Sequence, residues 1–184
     1  MTTLLLLQSE LSTPLGKLIL MHDESGNLRA ADWDEYAARL PALLQRQYRD
    51  IDLKIQPHVT TKAHLNHERF TRYFDGDLHA LEAIPLQLGG TDFQQQVWLA
   101  LRHIPVGATW SYKDLASFIS RPKACRAVGT ANGLNPVAIV LPCHRVIGSS
   151  GSMVGYASGL ARKRWLLQHE QALTSTQSSL FGIY

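Results

Sequence analysis

"SYKDLASFISRPKACRAVGTANG", residues 111–133, holds two short helical patterns with three residues between them that suit neither. Ser111 and Asp114 stand three apart at the start of "YKDLASFI". That is the spacing of a capping box, in which the hydroxyl takes the third helical N–H and the partner side chain reaches back. Ser120-Arg121-Pro122 makes a turn, and Pro122 suits the first position of a second helix, where its missing N–H is not needed. This second helix is expected over about 123–132, ending at Gly133. Ala124, Ala127, Val128 and Ala131 recur on it at i, i+3, i+4 and i+7, a small-residue face for close packing. Lys123, Arg126 and Thr130 point the other way. Two short helices across a tight turn, the second basic on its free side, predict a helix-turn-helix, although such pairs also occur as plain core packing. The alanines suit insertion into a groove better than reading of bases by long side chains.

Charge is uneven around this segment. The 184 residues carry a net +3. Residues 1–90 hold nine Lys/Arg against twelve Asp/Glu, a net of −3. Residues 91–170 hold nine Lys/Arg against only Asp92, Asp114 and Glu170, a net of +6, and the last fourteen residues hold no charge. A basic module suits a polyanion partner, and equally a solvated charged face. With 45% apolar residues, the chain suits one domain or two small ones with a real core. No apolar run approaches a membrane span: "LLLL" at 4–7 is followed at once by Gln8, Ser9 and Glu10, and the start lacks the flanks of a signal peptide. Cys125 and Cys143 are too few for a disulfide framework, so a reduced, cytoplasmic protein is expected.

The N-terminal half reads as a small α/β unit, residues 1–75. "TLLLLQSEL", "KLILMH", "LRAADW" and "IDLKIQ" are strand-like, with a turn at Thr13-Pro14-Leu15-Gly16. Residues 34–49 have helical spacing interrupted by Pro41, which predicts a kink or two pieces. A short helix is expected over 67–75, with Phe70 and Phe74 on one face. His58, His64 and His67 read as exposed loop residues rather than metal ligands, and no metal site is expected. Residues 76–90, with Gly76, Pro85, Gly89 and Gly90, read as a linker.

Residues 91–171 form the second unit, with 172–184 as a tail. Thr91 and Gln94 make another capping box before a helix with Phe93, Val97, Trp98 and Leu101 on its apolar stripe, stopped at Pro105-Val106-Gly107. Past Gly133, "NPVAIVLP" is expected to be a short apolar strand delivering Cys143, His144 and Arg145. Cys143 is then either a small buried hydrophobe or a nucleophile at the mouth of a sheet. A Gly/Ser-rich loop precedes a final helix, "GLARKRWLLQHE", capped near Ser158. Glu170 shares its stripe with Leu160, Leu166 and Leu167, where a carboxylate is costly unless it meets a cation or a donor. His144 would suit: Glu170 would orient it, and it would take the proton of Cys143 directly or through a water. A thiol of pKa about 8.5 would then be largely thiolate at neutral pH. Otherwise Glu170 is a solvated helix end.

"NPVAIVLPCHRVI", with "SYKDLA" and "KACRAVGTANG" upstream and "GYASGLARKRWLLQHE" downstream, resembles the O6-alkylguanine-DNA alkyltransferases over about 90–171. The N-terminal half, with "ADWDEY", resembles their constitutive bacterial type more weakly. The resemblance implies an α/β (α+β) chain: a ribonuclease-H-like N-terminal domain and a C-terminal helical domain with a winged-helix-like helix-turn-helix. It implies single-turnover repair of O6-alkylguanine, and less efficiently O4-alkylthymine, by transfer of the alkyl group to cysteine without a cofactor. The partner would be duplex DNA, entered by the minor groove, with the protein a monomer that clusters at most on DNA. Cys143 would be the acceptor, activated by His144 and Glu170, with Tyr112 donating a proton to the guanine and crowding the phosphate. Arg126 would fill the hole left in the stack, and Lys123, Ala127 and Thr130 would share its DNA-facing surface. Asn135 would tie the second helix to the active-site strand. The carbonyls of Cys143 and Val146 would read the guanine amino group, while Gly155, Tyr156, Ala157 and Ser158 would close over O6. Arg145 would buttress the domain interface.

Departures from the family pattern matter too. Animal members carry serine where Ala157 stands, so a contact to O6 would come from a backbone N–H. No cysteine precedes Cys125, so the N-terminal zinc site of some relatives cannot form in the same way, and Cys125 reads as a small buried residue. Rival readings are a cysteine hydrolase, a helix-turn-helix regulator, and a non-enzymatic lesion sensor. The last carries tryptophan where Cys143 stands.

Overall fold

The run "LILM" at 18–21 is the centre of a sheet covered on both faces. In this computed structural model, which describes residues 2–57 and 61–173, the run lies in β2 (Gly16–His22). Leu18 and Leu20 enter one apolar cluster while Ile19 and Met21 enter another. Successive strand side chains face opposite ways, so an unbroken apolar run is what a doubly covered strand requires. β1 (Thr2–Thr13) pairs antiparallel with β2, as does β3 (Leu28–Trp33) on its other side. After α1 (Asp34–Ala37) and α2 (Leu40–Gln47), β4 (Ile51–Pro57) returns parallel to β1, giving the order β3-β2-β1-β4. Pro41 thus divides the 34–49 helical pattern in two, at the start of α2, where its lack of an N–H costs nothing. Leu40, Leu43 and Leu44 of α2 pack on Ile19 and Met21.

The opposite face of the sheet takes α3 (Thr61–Phe74) and the C-terminal half, in a single cluster from Leu18 and Trp33 to Trp98 and Leu166. α3 begins well before the expected residue 67, because its polar first turn hides the periodicity. His64 and His67 therefore sit on a helix rather than in a loop. His64 is exposed, while the half-buried His67 holds Nε2 2.8 Å from Ser9 Oγ. His58 lies outside the described residues. Segment 76–90 packs along the sheet: a 3-10 turn at Ala80–Ala83 buries Ala80 and Leu81, Ile84 is buried beyond it, and Leu86 bridges Leu28.

The C-terminal half comprises α4 (Asp92–Leu101), β5 (Trp110–Ser111), α5 (Tyr112–Phe118), α6 (Cys125–Gly133), β6 (Val146–Ile147) and α7 (Leu160–His169), with β5 and β6 paired in parallel. Both capping boxes, Thr91/Gln94 and Ser111/Asp114, form as their spacing predicts. Three local expectations fail for identifiable reasons. Pro122 is not the first residue of α6: it occupies the second position of a β-turn closed by Ala124 N–H donating to Arg121 O, and α6 starts at Cys125. The inward face of α6 is rotated by about one residue, to Val128, Ala131 and Asn132, which leaves Ala127 exposed beside Lys123, Arg126 and Thr130. "NPVAIVLP" is not a strand. Val137 makes one bridge to Ala31 of β3, after which residues 138–141 turn, with Ile139 at φ 71. A short apolar run reads alike for a strand and for a buried turn, and here the turn prevails. A β-branched residue in the left-handed region is strained, so the buried surroundings must hold it there.

Candidate active site and nucleic-acid interface

Residues 143–145 follow that turn as a 3-10 turn, Cys143–Arg145, with all three side chains buried. Cys143 lines a small cavity of about 20 Å³ with Arg39, Asn135, Gly155, Tyr156 and Ser158. That volume holds about one water, so nothing larger enters unless the walls move apart. Burial pushes the Cys143 thiol up. The Asn135 side chain and the nearby Lys163 ammonium pull the other way without reversing it. The resting side chain is therefore a thiol, contrary to the thiolate expected from the sequence. Asn135 also clamps the turn, with Nδ2 donating to Leu141 O at 2.8 Å and Oδ1 accepting from Val137 N–H at 2.9 Å.

Glu170 follows α7 and is buried. Its Oε1 accepts from Tyr73 Oη at 2.7 Å and Arg145 Nη2 at 2.9 Å, and lies 3.0 Å from His144 Nε2. Oε2 accepts from Arg145 Nε at 2.8 Å. Burial would raise the carboxyl, but His144 and Arg145 outweigh it and hold Glu170 well below the usual carboxylate range. Burial pushes the His144 ring down, against the pull of Glu170. A neutral ring facing a carboxylate carries its proton on Nε2, which leaves Nδ1 a bare acceptor. Nδ1 is buried and has no partner among the described residues. No hydrogen bond joins His144 to Cys143 in this state. Arg145, whose Nη1 donates to Ile104 O at 2.7 Å, holds the carboxylate itself.

Tyr112 opens α5, half-buried between α6 and the loop: its ring lies against Gly129 and its hydroxyl near Gly155. Burial and the Cys143 site raise its pKa, so it stays a proton donor at neutral pH. The Tyr156 hydroxyl is buried without a partner among the described residues, while Ala157 is exposed. Ser158 does not cap α7. Gly159, at φ 92, takes the cap position, and Ser158 Oγ donates to Asp32 Oδ1 at 2.6 Å. Val146 O already accepts from Lys163 Nζ at 2.6 Å. Arg126, Ala127 and Thr130 share the exposed side of α6, and Lys123 is exposed in the turn just before it. Cys125 is half-buried, its thiol directed at Pro122 O at 3.5 Å.

Sequence reasoning missed four residues here. Lys163 is fully buried and also donates to Val154 O at 2.9 Å and Gly155 O at 3.4 Å, tying the loop to β6. Desolvation lowers its pKa to about 8. Its helical phase with Leu166, Leu167 and Glu170 was a readable signal, whereas Leu160, assigned to that stripe, is exposed. Tyr73, Asp32 and Arg39 come from the N-terminal half, and although "ADWDEY" contains Asp32, nothing local tied any of the three to Cys143. Arg39 pairs with Asp32 at 2.7 Å and reaches the Cys143 cavity.

Among the described residues, no group of three or more side chains is placed to hold a metal ion, and no helix is long and apolar enough to cross a membrane. Residues 92–172 match the family model described as "6-O-methylguanine DNA methyltransferase, DNA binding domain". A methylated-DNA–protein-cysteine methyltransferase of Shigella flexneri is 46% identical over 165 residues, which cover 90% of this chain and 95% of the relative. A crystal structure of Mycobacterium tuberculosis OGT in complex with DNA superposes with a TM-score of 0.69 at 37% identity, covering 98% of this chain and 99% of that one. The O6-methylguanine-DNA methyltransferase of the archaeon Pyrococcus kodakaraensis gives 0.61 at 25% identity, covering 90% and 98%. With a buried cysteine followed by a histidine–glutamate pair, the end of α6 lining the same cavity, and relatives matched over nearly their full length, the chain belongs to the methylated-DNA–protein-cysteine methyltransferase family.

Proposed function

We propose that this protein repairs O6-alkylguanine in duplex DNA, and O4-alkylthymine less efficiently, by moving the alkyl group to Cys143. The observation that carries the reading is the Cys143 cavity, walled by the 155–158 loop, with the next residue, His144, buried against Glu170. α6 enters the minor groove with Lys123, Arg126, Ala127 and Thr130, and Arg126 takes the place of the extruded nucleotide. Extrusion costs a few kcal/mol, which insertion and backbone contacts offset. Opening of the 155–158 loop admits the base. Asn135 keeps Cys143 in place, the carbonyls of Cys143 and Val146 accept from the guanine amino group, and Tyr156 Oη and the N–H groups of 157–158 lie toward O6.

The Cys143 proton passes through a water to His144 Nδ1, and Glu170 stabilises the imidazolium. Sulfur attacks the alkyl carbon, the S–C bond forms, and the C–O6 bond breaks with its electron pair going to guanine. Tyr112 protonates the leaving base, and the thiol proton restores the tyrosine. The products are guanine and a thioether, so each chain acts once and no cofactor takes part. The sheet order, with β1 parallel to β4 and antiparallel to β2, supports a ribonuclease-H-like N-terminal domain over 1–75. The α5–α6 pair flanked by β5 and β6 supports the winged-helix-like reading for 91–171, joined through 76–90. We further infer a cytoplasmic monomer, its cysteines unpaired.

Mass spectrometry after incubation with an O6-methylguanine duplex tests the reading. One methyl group per chain on Cys143, with no further repair in excess substrate, is expected. Sustained turnover, or methylation of Cys125 instead, would overturn it.

A further inference from the structure

Two grooves meet on the surface beside α6. One, of about 380 Å³, runs along the free side of α6 past Ala127 and Thr130 to Phe93. The other, of about 490 Å³, runs from the N-terminus of α4 to the end of α2, where Arg46 and Arg49 line it. Thr91, Gln94 and Leu134 belong to both, so the two form one continuous channel from the C-terminal half to the N-terminal half. No carboxylate lines either groove. Arg46 and Arg49 are exposed and have no ion-pair partner among the described residues. At the Phe93 end of the α6 groove, Arg121 in the turn before α6 holds its guanidinium 5.7 Å from the Phe93 ring centroid. The net acidity of residues 1–90 therefore does not describe this face: Arg121 stands at one end of the joined grooves and Arg46 and Arg49 at the other, on the nominally acidic half.

We propose that this channel carries the DNA backbone beyond the lesion, with Arg46 and Arg49 of the N-terminal half neutralising phosphates outside the contact made by α6. The inference rests on the DNA-repair reading above and extends its footprint. Polyanion complementarity and continuity with the α6 face single out nucleic acid as the occupant. An unpaired guanidinium in an acid-free groove has phosphate as its natural counter-charge. Such contacts position without reading sequence, and each releases counterions, so each contributes about 0.9 to the slope of log affinity against log salt.

The test measures that slope for the full chain on an O6-methylguanine duplex with long flanks, and on duplexes with either flank trimmed. The Arg46→Ala/Arg49→Ala variant should lower the slope by about 0.9 per lost contact on the long duplex. It should match the wild type once the flank over the channel is removed. Arg46→Lys/Arg49→Lys should keep the slope, and free O6-benzylguanine should react at the wild-type rate with every variant. An unchanged slope on all lengths overturns the proposal. So does an unchanged slope accompanied by lost clustering on long DNA, which would assign the surface to a second copy of the chain. A wild type that neither binds duplex nor accepts its methyl group would instead overturn the repair reading itself.

Discussion

Cys143 is buried and protonated at rest, so reactivity turns on where its proton goes. Direct ionisation is opposed by burial, and in the mechanism we propose the neutral His144, its Nδ1 without a partner among the described residues, receives the proton through a water. His144→Ala should leave only the pre-ionised route. Its alkyl-transfer rate should fall at neutral pH and climb with pH more steeply than that of wild type. A parallel profile at reduced rate would assign His144 to packing alone. His22 makes a second prediction at this scale. Both of its ring nitrogens are buried without a partner among the described residues, and desolvation lowers its pKa to about 4. As pH falls below about 6.5 the unfolded chain takes up a proton that the folded chain refuses until about 4, so stability drains away across that window and levels off below it. The full effect is on the order of 3 kcal/mol. His22→Leu removes both the titration and the orphaned nitrogens, and its advantage over wild type in urea unfolding should widen from pH 7 to pH 4.5. A constant difference would show that the ring's charge does not matter.

Elements defined by their own ends were readable, and those defined by their neighbours were not. α4 and α5 start where Thr91 and Ser111 predict, because a capping box is satisfied within four residues. The rotated face of α6 and the turn at 137–141 depend on what they meet. Asn132 is buried on α6 beside Tyr112, and the edge of β3 offers Val137 one rung only. Neither cause has a local signature. The exposed side of α6 was legible, and its prediction separates extrusion from chemistry. Arg126 lies on that side, away from Val128 and Ala131. Arg126→Ala should slow repair of an O6-methylguanine duplex strongly, because the extruded state loses its support. The reaction with free O6-benzylguanine, which needs no extrusion, should be nearly unaffected. Arg126→Lys should rescue only in part, since an ammonium replaces the charge but not the planar stacking surface. Equal losses on both substrates would place Arg126 in the pocket or the fold.

At the scale of the molecule, the two halves share the site. Tyr73 reaches Glu170 across 97 residues of sequence, and Asp32 meets Ser158 across 126. The Cys-His-Arg motif was legible because its residues are adjacent. These long-range partners were not: "ADWDEY" contains Asp32 but does not say which distant side chain it meets, and nothing near Tyr73 marks it as different from other helix residues. Asp32 is fully buried and accepts from Ser158 Oγ, Trp33 N–H and the Arg39 guanidinium, so one carboxylate of β3 holds both the loop over Cys143 and an arginine of its cavity. Asp32→Asn keeps the shape but removes the charge. Arg39, about a third exposed, can turn to water, while the Ser158 hydroxyl loses its strongest acceptor. The expected cost is about 1.5–3 kcal/mol, the range for hydrogen bonds to charged groups. Ser158→Ala should cost less. If the two side chains act through one contact, the double variant should cost clearly less than the two single changes added together. Amide exchange at 155–158 should rise in all three variants, ahead of exchange in β1 and β2, because the loop loses its anchor while the sheet keeps its ladder. Additive costs with unchanged exchange in the loop would mean that Asp32 stabilises β3 alone, and that the N-terminal half has no hold on the pocket.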